Sequence, residues 1–227
     1  MERCKTTASR VHAKKEGDTV DIQSQISGLT RFGAGWIMWV LAGLSIASLA
    51  VVLDRTLHVL RSRDDLRSLR ADLLELLHTR DFRGARERLG LSRSYEARVV
   101  VAGLEVAHSG PKAAEQRMAG ASQLARLAME KRLAFLGTVG SNAPFVGLLG
   151  TVIGIVRSFA ELDASGGRVS AGLMSEVGEA LTATAVGILV ALPAVAFFNF
   201  FQRLIKARMT RADALSRELL AQLETAV

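Results

Sequence analysis

The 227-residue sequence predicts an all-α membrane protein, with three transmembrane helices and a cytoplasmic helical bundle. The bundle is formed by the loop after helix one and by extensions of helices two and three. Three observations predict this. Residues 33–53 (GAGWIMWVLAGLSIASLAVVL), 133–156 (LAFLGTVGSNAPFVGLLGTVIGIV) and 180–201 (ALTATAVGILVALPAVAFFNFF) contain no charged residue. A helix needs ~20 apolar residues to cross ~30 Å of hydrocarbon, so each stretch can span. The polar segments between them carry apolar residues at helical spacing, and no strand pattern occurs. A chain of this length is also too short to wrap three such helices in a soluble core.

The elements follow in order. Residues 1–32 form a polar N-terminal segment with Gly17 and Gly28 and no sustained period. Residues 33–53 are the first transmembrane helix. This helix starts too late and is too long for a secretory leader, and charges rather than a small-residue cleavage site follow it. Residues 54–132 form a cytoplasmic helical region. Within it, DDLRSLRADLLELLH (64–78) puts Leu66, Leu69, Leu73 and Leu76 on one helical face. SYEARVVVAGLEVAH (94–108) predicts a second helix. Pro111 opens a third, with a stripe of Ala114, Met118, Ala121 and Leu124. Nothing strong breaks that helix before the second span, residues 133–156, so the two read as continuous. A short periplasmic link, 157–172, leads to the third span, 173–201. The cytoplasmic C-terminal helix, 202–227, continues that span through RLIKARMTRADALSRELLAQLE.

Lysine and arginine placement sets the expected orientation. Arg55, Arg61, Arg63, Arg67 and Arg70 follow span one, and Arg203, Lys206, Arg208 and Arg211 follow span three. The link between spans two and three offers only Arg157 and Arg168, beside Glu161 and Asp163. The link is therefore expected outside, the N-terminus periplasmic and the C-terminus cytoplasmic. Lys14, Lys15 and Arg31 act against this without reversing it. The net charge of +7 largely reflects the same bias. It does not predict nucleic-acid binding, because acids intersperse the arginines and aromatic partners are lacking. Cys4 is the only cysteine, and His12, His58, His78 and His108 are scattered outside the spans, so neither a disulfide nor a metal site is expected.

The spans are not plain anchors. Gly137, Gly140, Pro144, Gly147, Thr151, Gly154 and Ser158 recur at spacings of three and four along span two. Span three has Ala180, Ala183, Gly187, Ala191 and Ala194. Small residues let membrane helices approach closely, within one subunit or between copies. Glu176 and Glu179 mark the outer entry of span three, with Thr182 and Thr184 deeper. No Asp, Glu, Lys, Arg or His lies deep within any span. A proton carrier normally needs a titratable group there, so a second protein must supply the acid if this chain lines an ion path. The threonines could equally bond their own helix carbonyls. No nucleophile–base pair, phosphate loop or metal cluster points to an enzyme.

APFVGLLGTVIGI followed by GEALTATAVGILVALPAVAFFN resembles the two-helix signature of the MotA/TolQ/ExbB proton-channel family. LSIASLAVVLDR resembles its first helix, with Asp54-Arg55 at the family's acid–Arg pair. The resemblance covers about residues 36 to 205, and three spans suit the ExbB/TolQ branch. It implies a homopentamer in the inner membrane, around a dimer of a single-span ExbD/TolR-like partner that carries the membrane aspartate. It implies protons as the transported ion, with sodium as the alternative, and no cofactor. It implies work delivered to a TonB-like, TolA-like or motility protein. Thr151, Thr184 and Glu179 match pore-lining positions of the family. Thr182, where an aliphatic residue is common, and Glu176 are candidate modifiers of the pore or its ion selectivity. Gly140, Pro144, Gly147, Gly154 and Gly187 form the close-packing stripe; Pro193 and Asn199, like Pro144, match structural positions. Ile153 stands where one branch has tryptophan. The competing expectation is a non-conducting membrane scaffold that oligomerises and anchors a partner. Such a scaffold would tolerate Thr151→Val and Thr184→Val.

Overall fold

The computed structural model describes residues 35–61 and 66–225. The polar N-terminal segment, 1–32, lies outside them. Seven α-helices occur among the described residues: α1 (Gly35–Arg61), α2 (Leu66–His78), α3 (Phe82–Gly90), α4 (Tyr95–Glu105), α5 (Pro111–Glu130), α6 (Leu133–Ala164) and α7 (Ala171–Glu224). No strand is present among those residues. Three helices are long and apolar enough to cross a membrane: α1, α6 and α7, with mean hydropathies of 2.2, 1.7 and 2.2 over their most apolar windows. At 1.5 Å per residue the 54-residue α7 is about 80 Å long, far more than ~30 Å of hydrocarbon requires. The chain divides into two compact units, Met1–Ile46 with Val139–Pro193, and Ala47–Thr138 with Ala194–Val227.

The first unit contains the apolar hairpin of α6 and α7 and the start of α1. Its core is built from small residues. Ala143, Ala180 and Ala183 are fully buried, as are Ile37 and Leu41 of α1. α6 runs eight residues past position 156, because nothing in RSFAELDA disrupts a helix until Gly166 and Gly167, both at positive φ (64° and 82°). The link expected over 157–172 therefore shortens to 165–170. Ser170 caps α7, accepting from the Leu173 N–H at 3.1 Å, and donates to Glu161 Oε1 at 2.9 Å.

The second unit holds α2 to α5 and the end of α7. Leu69, Leu73 and Leu77 of α2 are buried with Leu89, Val100, Met118 and Leu219 in one apolar cluster. Leu77 belongs to that face as well, beyond the Leu66, Leu69, Leu73 and Leu76 spacing. Leu73 is fully buried. Leu73→Ala should cost about 2–5 kcal/mol, read as a lower thermal midpoint of the detergent-solubilised protein. α3 is absent from the sequence reading, since FRGARERLG is polar and carries two glycines. Its start is fixed by Asp81, whose Oδ1 accepts from the Gly84 N–H at 2.8 Å, and Ala85 and Leu89 anchor it in the core. Ser94 caps α4 in the same way, through the Ala97 N–H at 3.1 Å. On α5, Leu124 is exposed at 69%, so past the buried Ala114 and Met118 and the half-buried Ala121 the stripe continues through the half-buried Ala125 to Met129.

The expected continuity of α5 with span two is a further correction. The two helices are separated at Lys131, which is extended (φ −51°, ψ 132°), and Arg132, which is left-handed (φ 68°). The Asp54-Arg55 pair of α1 explains the break. Arg132 Nη1 donates to Asp54 Oδ2 at 3.0 Å. The buried Arg55 directs Nη1 at the carbonyls of Met129 (3.4 Å) and Ala128 (3.5 Å), the unsatisfied end of α5. A guanidinium there also complements the negative helix terminus. Arg55→Ala should destabilise the protein by about 1–3 kcal/mol by stranding those carbonyls. Hydrogen exchange at 125–135 is the measurement, with faster exchange expected there than in α2.

Candidate functional site

Residues of α6 and α7 meet in the first unit through their backbones. A Cβ added to Gly147 would stand 2.7 Å from the Ala183 carbonyl oxygen and 3.0 Å from Thr184 Cα. One added to Gly187 would stand 2.7 Å from the Ala143 carbonyl oxygen and 3.0 Å from Gly147 Cα. Gly154 opposes Ala180, and Gly150 opposes Ala183 with Ile37 behind it. The close-packing stripe thus joins two helices of one chain, and its buried face runs through Gly140, Ala143, Gly147, Gly150, Gly154 and Ser158. Gly150 and Ala143 were not singled out in the sequence. Their signal was the three-and-four spacing from Gly147, which fits them as well as Thr151 and Pro144. Those last two lie at the margin of the stripe, half-buried. Pro144 has no N–H to offer the buried Gly140, so the helix loses one hydrogen bond beside the contact.

The threonines separate into two kinds. Thr184 Oγ1 donates to the Gly147 carbonyl at 3.1 Å, across the helix pair and at its closest approach. Thr151 Oγ1 donates within its own helix to the Leu148 carbonyl at 2.7 Å. Thr182 does likewise to Gly178 at 2.8 Å. Both self-bonded hydroxyls retain acceptor capacity. The structure does not join Thr151 to Thr184 by a hydrogen bond.

The two glutamates also differ. Glu176 is tied to Arg157 of α6 at 2.9 Å, while its other oxygen, Oε2, is buried with no hydrogen bond. Arg157, expected in the link, sits on α6 because that helix continues. Glu179 is exposed, and its Oε1 lies 3.6 Å from where a Cβ would stand on Gly35. Three residues apart on one helix, Glu179 and Thr182 share an exposed face of α7. Pro193 and Asn199 are exposed further along the same helix.

Three apolar helices, close-packed small residues and a sparse set of polar groups define a multi-pass α-helical membrane protein with the make-up of a channel component. The chain belongs to the MotA/TolQ/ExbB proton channel family, whose model matches residues 91–214. It is 42% identical over 87 residues to a biopolymer transport protein, ExbB-like 2, of Helicobacter pylori. It is 41% identical over 91 residues to the biopolymer transport protein ExbB of Xanthomonas campestris pv. campestris, and 39% over 90 residues to that of Aquifex aeolicus. These segments are 38%, 40% and 40% of this chain, and span 58%, 36% and 61% of the three relatives. The likeness places the chain in the ExbB branch.

Proposed function

We propose that the chain is an inner-membrane stator subunit of an ion-driven, ExbB-like energy-transducing motor. Five copies would surround a pair of single-span ExbD/TolR-like helices that bring the membrane aspartate. The carrying observation is the exposed pair Glu179 and Thr182, beyond which that face of α7 is apolar through Ala185 and Leu189. An ionisable group at such a position faces a cavity or a partner rather than hydrocarbon. Thr151 offers a second hydroxyl from α6. These groups can solvate an ion or an incoming carboxylate without contributing a fixed charge deep in the membrane. Exposed Leu181, Leu189 and Leu192 of α7, with Leu148 and Val152 of α6, supply apolar surface for neighbouring copies and lipid. The N-terminus is assigned to the periplasm and the C-terminus to the cytoplasm by the arginine bias. The ion is proposed as the proton, with sodium as the alternative, and the load as a TonB-like, TolA-like or motility protein.

The scaffold reading is favoured by one observation, the self-bonding of Thr151 and Thr182. The test is complementation of a deletion strain by Glu179→Gln and Thr151→Val, with expression and membrane insertion verified. The stator reading predicts loss of work that depends on the ion gradient, despite retained assembly. Full complementation by both variants would support the scaffold.

A further inference from the structure

We infer that Arg157 sets the charge of the outer ion entry, by pairing with Glu176 and leaving Glu179 as the free carboxylate of that entry. The inference rests on the stator reading, in which Glu179 faces the ion path and the α6–α7 link lies outside. All three residues belong to the first unit. Arg157 Nη2 lies 2.9 Å from Glu176 Oε1, joining α6 to α7. Glu179 follows three residues later on α7 and is exposed. At that spacing the Cβ atoms of the two glutamates stand about 5–6 Å apart on one helix face. Left unpaired, the two carboxylates give each chain two negative charges at the entry; the guanidinium cancels one. No other charge of the unit takes its place. Residues 35–46 of α1 carry no ionisable side chain, and Glu161, a turn beyond Arg157 on α6, accepts from the Ser170 hydroxyl at 2.9 Å.

Packing does not require the pair. Gly154 already brings α6 against α7 at this level: a Cβ there would stand 3.3 Å from Ala180 Cα and 3.4 Å from the Glu176 carbonyl oxygen. The Ser170–Glu161 bond ties the two helices together on the outer side. The pair is also a poor strut. Glu176 Oε2 is buried with no hydrogen bond, and an incompletely satisfied buried ion pair adds little to stability. Charge supplies the reason that packing lacks. Carboxylates at the mouth of a cation path gather ions, and their number sets how strongly they do so.

The test is ion flux into proteoliposomes holding the full-length chain and a single-span ExbD/TolR-like partner, at low external ion concentration, where entry limits the rate. Arg157→Gln leaves both carboxylates unpaired and should raise the rate. Glu176→Gln leaves the guanidinium unpaired beside Glu179 and should lower it. The two should differ about tenfold in about 10 mM choline chloride and converge in about 1 M, where the Debye length falls to about 3 Å. The double variant, uncharged at both positions, should return towards the wild-type rate. Opposite signs are the readout that a strut does not give, since breaking a strut slows both single variants. Co-purification of the partner verifies the assembly of each variant. Should Arg157→Gln not assemble, the comparison of Glu176→Gln with the double variant decides. Absent flux in wild type overturns the stator reading and this inference with it. Wild-type flux with both single variants slowed, with neither changed, or with a difference that salt does not narrow overturns the inference alone.

Discussion

Gly187→Val should abolish the folded state of the α6–α7 hairpin, and Gly187→Ala should weaken it strongly. The first added carbon already meets the Ala143 carbonyl oxygen at 2.7 Å and Gly147 Cα at 3.0 Å, both of them backbone. Backbone cannot swing aside as a flexible side chain can, so the helices must separate. Overpacking of this kind costs about 1–3 kcal/mol for a small addition, and more when the obstacle is rigid. Gly147→Ala should act alike, since it meets the Ala183 carbonyl oxygen at 2.7 Å. Gly43 and Gly120 are the controls, with nothing within 4 Å of an added Cβ. Alanine at either should leave stability unchanged or raise it, because glycine is the poorer helix former. Thermal unfolding in detergent, followed by size-exclusion chromatography, separates the two groups.

Thr184→Val should impair both docking of α7 on α6 and function, whereas Thr184→Ser should retain most of each. Valine matches the shape of threonine but removes the hydroxyl that bonds Gly147 across the pair at 3.1 Å. Such bonds in membrane proteins average about 0.6 kcal/mol and reach about 1.7. A modest loss of stability is therefore expected. The functional loss should be larger, because the bond sits at the closest helix approach, between Glu179 and the inner end of the span. Thr182→Val removes only a bond within α7, so its effect on stability should be smaller. Paired unfolding and complementation measurements on the three variants check this ordering.

The three long helices were legible because uncharged runs of more than twenty residues admit few other structures. The stripe on α7 was legible too: Ala180, Ala183, Gly187, Ala191 and Ala194 are all buried. On α6 the same reasoning chose a face slightly rotated from the true one. Pro144 and Thr151 attracted notice by residue type, while Ala143 and Gly150 occupy the contact. Spacing of three and four is shared by adjacent faces, and only the partner helix decides between them. The α5–α6 break was illegible because its cause is tertiary. Lys131 and Arg132 carry no breaker signal, and Asp54 and Arg55 lie more than seventy residues earlier. Polar α3 was illegible for a related reason, since two apolar anchors and one capping Asp81 are too little pattern for a short helix.

This chain is proposed to line an ion path to which a partner's carboxylate must contribute, because no titratable group lies deep within its own spans. Ion flux into proteoliposomes tests it most directly, with this chain alone, with its single-span partner, and with a partner whose membrane aspartate is changed to asparagine. Flux that requires the intact partner and falls in Glu179→Gln is the predicted result. Equal flux from this chain alone, or from the complex with the altered partner, would contradict the claim.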